Sequence, residues 1–331
     1  MADENGGAAP AKKLSPFQFA VIVTVVLGGI YAYTHQEKIF QMFKQKDLSQ
    51  HHVLPENPPS LPPQPPPANL TPLKTIRIAA WDLTPLDFHK LGDNTRVDRI
   101  VETIAGFDII AIQGITMRNI LPVDELIHRL EAKKRHYAYA AYPDSLGRVS
   151  EYMVFLYNKD TIRIGQETLR EVIDTSLTHR PLMASFCTSL PPPEKAFTFT
   201  LVSVKIDEER RETEVRSLGN LYKSIRDLRS AEAEDDIIML GNFAMPVRMI
   251  DSLAMVPNLA AAHSDLPTSA DMTLSGENIL FDRLKTTEYM EKTEVIDLMK
   301  KYNLQIADIY PLTSHLPVCA EFSIFESGKA E

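Results

Sequence analysis

Nine of the chain's 23 prolines are gathered into residues 55–72, PENPPSLPPQPPPANLTP, and no other feature restricts the fold as strongly. Each proline locks its own φ, removes a backbone donor and pushes the preceding residue out of the helical region. Neither a helix nor a central strand can run through such a segment. It reads as an extended polyproline-like spacer, roughly 50 Å long at about 3.1 Å per residue. The spacer separates a short amino-terminal part from the bulk of the 331 residues.

On the amino-terminal side, residues 17–33 read FQFAVIVTVVLGGIYAY, an uncharged apolar run preceded by Lys12 and Lys13 and closed by Tyr31 and Tyr33. That pattern predicts one short transmembrane helix with an aromatic interfacial end. A cleaved signal peptide and a buried core helix are the competing interpretations, but no small-x-small cleavage site follows the run, and a core helix would not sit between a polar tail and a proline spacer. Lys38, Lys44 and Lys46 nearly balance the lysines before the run, so positive charge specifies orientation weakly. The short tail favours a cytoplasmic amino terminus and a single-pass protein whose C-terminal domain is extracytoplasmic. Asn69-Leu70-Thr71 forms a glycosylation sequon that has meaning only in an exported context. The expected organisation is a polar tail (1–16), the anchor (17–33), a juxtamembrane segment (34–54), the spacer (55–72), one folded domain (73–326) and a tail (327–331).

Composition narrows the function of that domain. Lys+Arg total 35 against Asp+Glu 44, a net charge of -9. The first 72 residues are balanced, so the whole net charge falls on the remainder. A generally basic nucleic-acid-binding coat is excluded, and nucleic acid is disfavoured as a partner. Cys187 and Cys319 are the only cysteines and lie far apart, which supports neither a disulfide framework nor a zinc site. They read as small core residues.

From residue 75 onward, apolar runs of strand length alternate with segments of helical period. Strands are expected at 75–81, 107–113, 137–142, 151–158, 182–190, 197–206, 236–243, 277–283 and 317–325. Val97, Ile100, Val101 and Ile104 mark one face of a helix starting near Asn94, and Val215, Leu218, Leu221, Tyr222, Ile225 and Leu228 mark a second. About nine strands and a few helices in roughly 250 residues fit layered sheets with helices outside.

Taken in order, the strand ends resemble the endonuclease/exonuclease/phosphatase superfamily, which includes DNase I-like nucleases, sphingomyelinases and inositol phosphatases. The likeness rests on Ala80-Trp81-Asp82, Gln113-Gly114, Glu151 ahead of Phe155-Leu156-Tyr157, Arg180-Pro181, Val202-Ser203-Val204-Lys205, Gly241-Asn242-Phe243-Ala244, Glu277-Asn278-Ile279-Leu280 and Thr313-Ser314-His315-Leu316-Pro317-Val318. It implies an α/β (α+β) domain, a four-layer sandwich of two packed mixed β-sheets flanked by helices, preceded here by the transmembrane helix. It also implies phosphate-ester hydrolysis, which needs carboxylates around a hard divalent cation, an acid or base, and donors for the phosphoryl oxygens.

Against that pattern Glu151, Arg180 and His315 are kept. Gly114 stands where the family has a metal-binding Glu, Asn242 and Ser314 where it has Asp, Ala244 where it has Asn, and Lys205 where it has a catalytic His. Asp82 replaces an Asn and Glu277 an Asp. Losing a metal ligand, the water-orienting pair and a His together should remove most catalysis, since each such group typically contributes about 10²–10⁴ in rate. The expectation is therefore a pseudoenzyme serving as a binding or scaffold module without a cofactor. Arg180 and Lys205, with His315, are its candidate contacts for a protein partner or an anionic, phosphate-containing ligand. The alternative is an active hydrolase, a phosphoesterase using Mg²⁺ or Mn²⁺ on Asp82, Glu151 and Glu277, with His315 and Glu151 catalytic.

Overall fold

Side-chain alternation along the strands decides the layering. In Thr75–Leu86 (β1), Ile76, Ile78 and Ala80 face one way and Ala79 and Trp81 the other, yet all five are fully buried. A strand buried on both faces lies between two further layers. The computed structural model describes residues 75–116, 120–142, 151–230, 234–264 and 266–326. The apolar run 17–33, the juxtamembrane segment and the proline spacer lie outside the described residues. Among those that are described, no helix is long and apolar enough to cross a membrane.

The remaining strands are Ile109–Ile115 (β2), Tyr137–Ala140 (β3), Tyr152–Asn158 (β4), Ile162–Glu171 (β5), Leu182–Thr188 (β6), Thr198–Lys205 (β7), Ile237–Asn242 (β8), Leu259–Ala261 (β9), Glu277–Asp282 (β10), Tyr289–Val295 (β11) and Val318–Ser323 (β12). They form two six-stranded sheets, ordered β11-β12-β1-β2-β4-β3 and β5-β6-β7-β8-β10-β9. Each is mixed in the same way. Its central pair is parallel, β1 with β2 and β7 with β8, while the flanking pairs are antiparallel.

The sheets pack face to face through Ile76, Ile78, Ile109 and Phe155 on one side and Phe199, Leu201, Ile238, Leu240 and Ile279 on the other. Outside the first sheet lie helix α1 (Asn94–Ile104), which buries Val97, Ile100, Val101 and Ile104, and helix α2 (Leu121–Ala132), which buries Val123, Leu126 and Leu130. Asp93 caps α1 by accepting from the Arg96 amide at 3.0 Å. Helix α3 (Leu218–Ser230) covers the outer face of the second sheet with Leu218, Leu221, Tyr222 and Ile225. The result is helix, sheet, sheet, helix.

Among the described residues twelve strands replace the expected nine, and the physical reason is consistent. β5, β9 and β11 lie at sheet edges, where one side needs no apolar partner. β5 and β11 are accordingly half-exposed sequences without an apolar run, and β9 has only three residues. The helix expected over 215–228 begins at Leu218 instead. A separate short turn, Arg211–Glu214, precedes it, fixed by buried Glu214, which accepts from the Thr178 and Asp207 amides. Cys187 and Cys319 are free thiols, the latter buried.

Candidate functional site

The inward-facing rows of the sandwich do not stop at the core. Along β1 the series Ile76, Ile78, Ala80 continues to Asp82, and along β2 Ile109 and Ala111 continue to Gln113. Leu201 leads to Ser203 and Lys205 on β7, and Ile238 and Leu240 lead to Asn242 on β8. Glu277 opens β10, while Glu151 and His315 immediately precede β4 and the β12 region. Period-two alternation thus carries the core faces of both sheets into one polar end.

Lys205 is the centre of that end. Its Nζ lies 2.5 Å from Glu151 Oε1 and 3.3 Å from Asp82 Oδ2, and it donates to the hydroxyl of Thr84. Lys205 and Asp82 are both buried. Asn242 Nδ2 donates to Asp82 Oδ2 at 3.0 Å, and Thr84 bonds Asp82 Oδ1 through both its amide and its hydroxyl. Burial works against a charged Asp82, but the Lys205 ammonium, the His315 imidazolium and the bonds from Thr84 and Asn242 outweigh it. The carboxyl is held well below the usual carboxylate range.

A second ion pair lies beside the first. His315 Nδ1 meets Glu277 Oε1 at 2.5 Å, and Glu277 is only 1% exposed. Its other oxygen, Oε2, has no hydrogen-bond partner. Burial opposes the imidazolium, yet Glu277 and then Asp82 outweigh burial and the repulsion from Lys205, raising His315 to about 9. Trp81 fixes the backbone of this residue, since its Nε1 donates to the His315 carbonyl at 2.9 Å. Asn242, Glu277 and His315 line a cleft of about 440 Å³ whose rim carries Arg211, Arg248 and Met249.

The three family positions that lost their acids, Gly114, Asn242 and Ser314, differ in kind. Ser314 is a neutral side chain whose carbonyl accepts from the Ala270 amide. Gly114 has φ +85°, and a Cβ there would lie 2.2 Å from Thr84 Oγ1 and 2.4 Å from the Thr84 amide nitrogen. Thr84 has filled the space into which a carboxylate at position 114 would project. Asn242 accepts from the Ala244 amide at 2.8 Å with its remaining oxygen, so both ends of its amide are engaged within the protein.

The divalent cation that the fold family implies can be tested against these residues. An ammonium stands between Asp82 and Glu151, Glu277 is taken by His315, and position 114 admits no side chain. The residues do not fit a bound metal here. Among the described residues, three carboxylates bring their oxygens within 4.8 Å of one another only at Glu234, Asp235 and Asp236, at the opposite end of β8. The three acids expected to share a cation are therefore split between two ion pairs.

The other sequence candidates fall out as follows. Lys205 and His315 are both in the polar end, but only His315 lines the cleft. Arg180 is half-exposed and pairs with Glu171 at 3.2 Å, and it does not line the cleft. Thr84 was not anticipated as a site residue, because a Thr before Pro85 reads as turn chemistry. Nor was Gln113, which donates to Ser203 Oγ at 3.0 Å while its Oε1 stays unpaired. Its signal was the inward register of Ile109 and Ala111.

Two mixed sheets with parallel centres, flanked by helices, make up the α/β fold of DNase I-like, endonuclease/exonuclease/phosphatase-type domains. No protein-family model matches the sequence. Similar proteins include deoxyribonuclease-1-like 2 of Homo sapiens, 21% identical over 271 residues that span 73% of this chain and 90% of the relative. Deoxyribonuclease-1 of Gallus gallus is 22% identical over 269 residues, with coverages of 74% and 91%. Among solved structures, a humanized D. rerio TDP2 superposes with a TM-score of 0.54 at 13% identity, covering 75% of this chain and 99% of its own. An endonuclease/exonuclease/phosphatase from Bacteroides vulgatus gives 0.53 at 14% identity, with coverages of 76% and 99%.

Proposed function

We propose that this chain is a membrane-tethered pseudoenzyme, a relative of metal-dependent phosphoesterases that binds an anionic, phosphate-bearing group in its cleft without hydrolysing it. The observation that carries this reading is Thr84 filling the space of the missing carboxylate at position 114. A substituted ligand can be replaced by a neighbour, but an occupied volume cannot be used. With Asn242 bonded to Asp82 and to Ala244, no carboxylate remains there to activate water. Three cationic groups line the cleft for such an anion, the His315 ring, Arg211 and Arg248, beside the acids Glu277, which pairs with His315, and Glu208, which pairs with Arg211 at 3.4 Å. The apolar run 17–33 supplies the tether and the proline spacer the reach, with the domain on the extracytoplasmic side.

The rival reading, a phosphoesterase using Mg²⁺ or Mn²⁺, has in its favour that Asp82 and Glu151 do converge. The full-length protein in detergent separates the two. It is incubated with either metal, plasmid DNA and a generic phosphodiester, and separately titrated with inorganic phosphate. No turnover, together with phosphate binding that is lost in His315→Ala, is the expected result. Metal-dependent turnover that disappears in Glu151→Ala and His315→Ala overturns the proposal. Protease protection on intact cells reads the topology, and digestion of the domain only after permeabilisation contradicts the extracytoplasmic placement.

A further inference from the structure

The ammonium of Lys205 sits where oxygen ligands converge: Glu151 Oε1 at 2.5 Å, both Asp82 carboxylate oxygens at 3.3–3.4 Å and the Thr84 hydroxyl. Two carboxylates and a hydroxyl are the donor set of a hard cation. The geometry points to Lys205 as a covalently attached cation that occupies a latent divalent-metal site, so that the domain is neutralised from within and a hard divalent cation binds only when the ammonium is removed.

Charge and burial carry the argument. Asp82 is 1% exposed and the Glu151 side chain only 13%, so neither carboxylate is neutralised by bulk water. Leaving buried carboxylates together without a cation is costly, because their desolvation and mutual repulsion are not offset. A free metal ion would meet that requirement only in its presence, whereas Lys205 meets it always. The side chain reaches the site because it ends the inward row Leu201, Ser203 on β7, and its Nζ extends to the Asp82 carboxylate at the end of the inward row on β1. The neighbouring acid, Glu277, is held by His315 and takes no part. Asn242 holds Asp82 Oδ2 and Thr84 holds Oδ1, so the carboxylate keeps its place when Nζ is gone.

The inference deepens the metal-free reading of the cleft but fails separately from it, because its readout is cation binding and stability rather than turnover. The full-length protein in detergent is melted with EDTA or with millimolar Mn²⁺, and bound Mn²⁺ is measured by its paramagnetic resonance signal. The wild type should bind no Mn²⁺ at this site and melt at the same temperature in both buffers. Lys205→Met should melt about 10 °C lower in EDTA, the loss expected when one partner of a buried ion pair is removed. Mn²⁺ should then bind and return at least half of that loss. Lys205→Met/Asp82→Asn should melt near the wild type and ignore Mn²⁺. Wild-type Mn²⁺ binding that Asp82→Asn abolishes overturns the inference, and so does a Lys205→Met protein indifferent to Mn²⁺. If Lys205→Met folds in neither buffer, its failure to fold in Mn²⁺ counts against the latent site. The phosphate-binding pseudoenzyme reading survives either of the last two outcomes.

Discussion

The side-chain amide of Asn242 donates to Asp82 at 3.0 Å, joining across the two sheets a pair of residues that stand where the superfamily has the opposite chemistry, Asp for Asn and Asn for Asp. The exchange keeps one buried negative charge at this contact instead of moving it, and it leaves that charge beside Lys205. Asn242→Asp would place a second carboxylate 3.0 Å from the first. Like charges at that separation in a buried site cannot both ionise without cost. The variant is expected to lose about 2–4 kcal/mol in chemical denaturation at pH 7, to recover part of it as pH falls and one carboxyl protonates, and to gain no phosphodiesterase activity.

Ala244 carries a related cost. Its φ of 58° lies in the left-handed region, which disfavours a residue with a Cβ and is tolerated by Asn, the residue that the superfamily has there. Ala244→Asn should therefore stabilise the protein by about 0.5–1 kcal/mol in urea denaturation while adding no turnover. A destabilised variant would show that the backbone here is held by contacts that a larger side chain disrupts.

The ion pair of His315 with Glu277 predicts a pH dependence. The ordinary histidine value is 6.5 and His315 stands near 9, so its contribution is complete below about pH 6.5 and is lost as pH rises through 9. Asp236 acts in the same direction over a wider range. Burial first, then Glu288, raises its carboxyl from 3.8 to about 9, so the folded chain keeps a proton that the unfolded chain releases, and stability falls between about pH 4 and 9. Two variants separate the effects by thermal denaturation across pH. Asp236→Asn should flatten the slope from pH 4 upward, whereas His315→Gln should flatten it only between about 6.5 and 9. A His315→Gln profile parallel to the wild type would contradict the ion pair.

How much of this was readable beforehand follows from what each residue must satisfy. Buried strands such as Ile109–Ile115 announce themselves because both faces need apolar side chains, and the order of strand ends was enough to indicate the superfamily. Edge strands such as Tyr289–Val295 carry no such demand and were missed. Asp82, Glu151, Lys205, Asn242, Glu277 and His315 gather at one end as their positions on the strands required. Their pairing was not legible, because a sequence gives the row on which a side chain lies but not which of several opposite charges it meets. Lys205 faces inward at the end of its strand, whereas Glu208 and Glu209 a few residues on are exposed. Arg180 looked like a ligand contact and instead holds Glu171.

The steric argument at Gly114 yields the most direct test of whether the lost carboxylate can be put back. At φ +85°, with Thr84 Oγ1, N and Cα lying 2.2, 2.4 and 2.6 Å from a Cβ, Gly114→Glu must displace the β1 backbone. A side chain cannot relieve that by changing rotamer, because its first atom is already blocked. The expected loss is about 3 kcal/mol or more, measured by urea denaturation, from a strained φ and overpacking together. Trimming the obstacle should not rescue it: Gly114→Glu combined with Thr84→Gly still meets the nitrogen and Cα of residue 84. Gly165→Ala serves as a control, since there the nearest atom is the mobile end of Glu167 at 3.0 Å, and its cost should stay within about 0.5 kcal/mol. A Gly114→Glu protein as stable as the wild type would mean that Thr84 yields the space readily, and the principal support for a non-hydrolytic cleft would be gone.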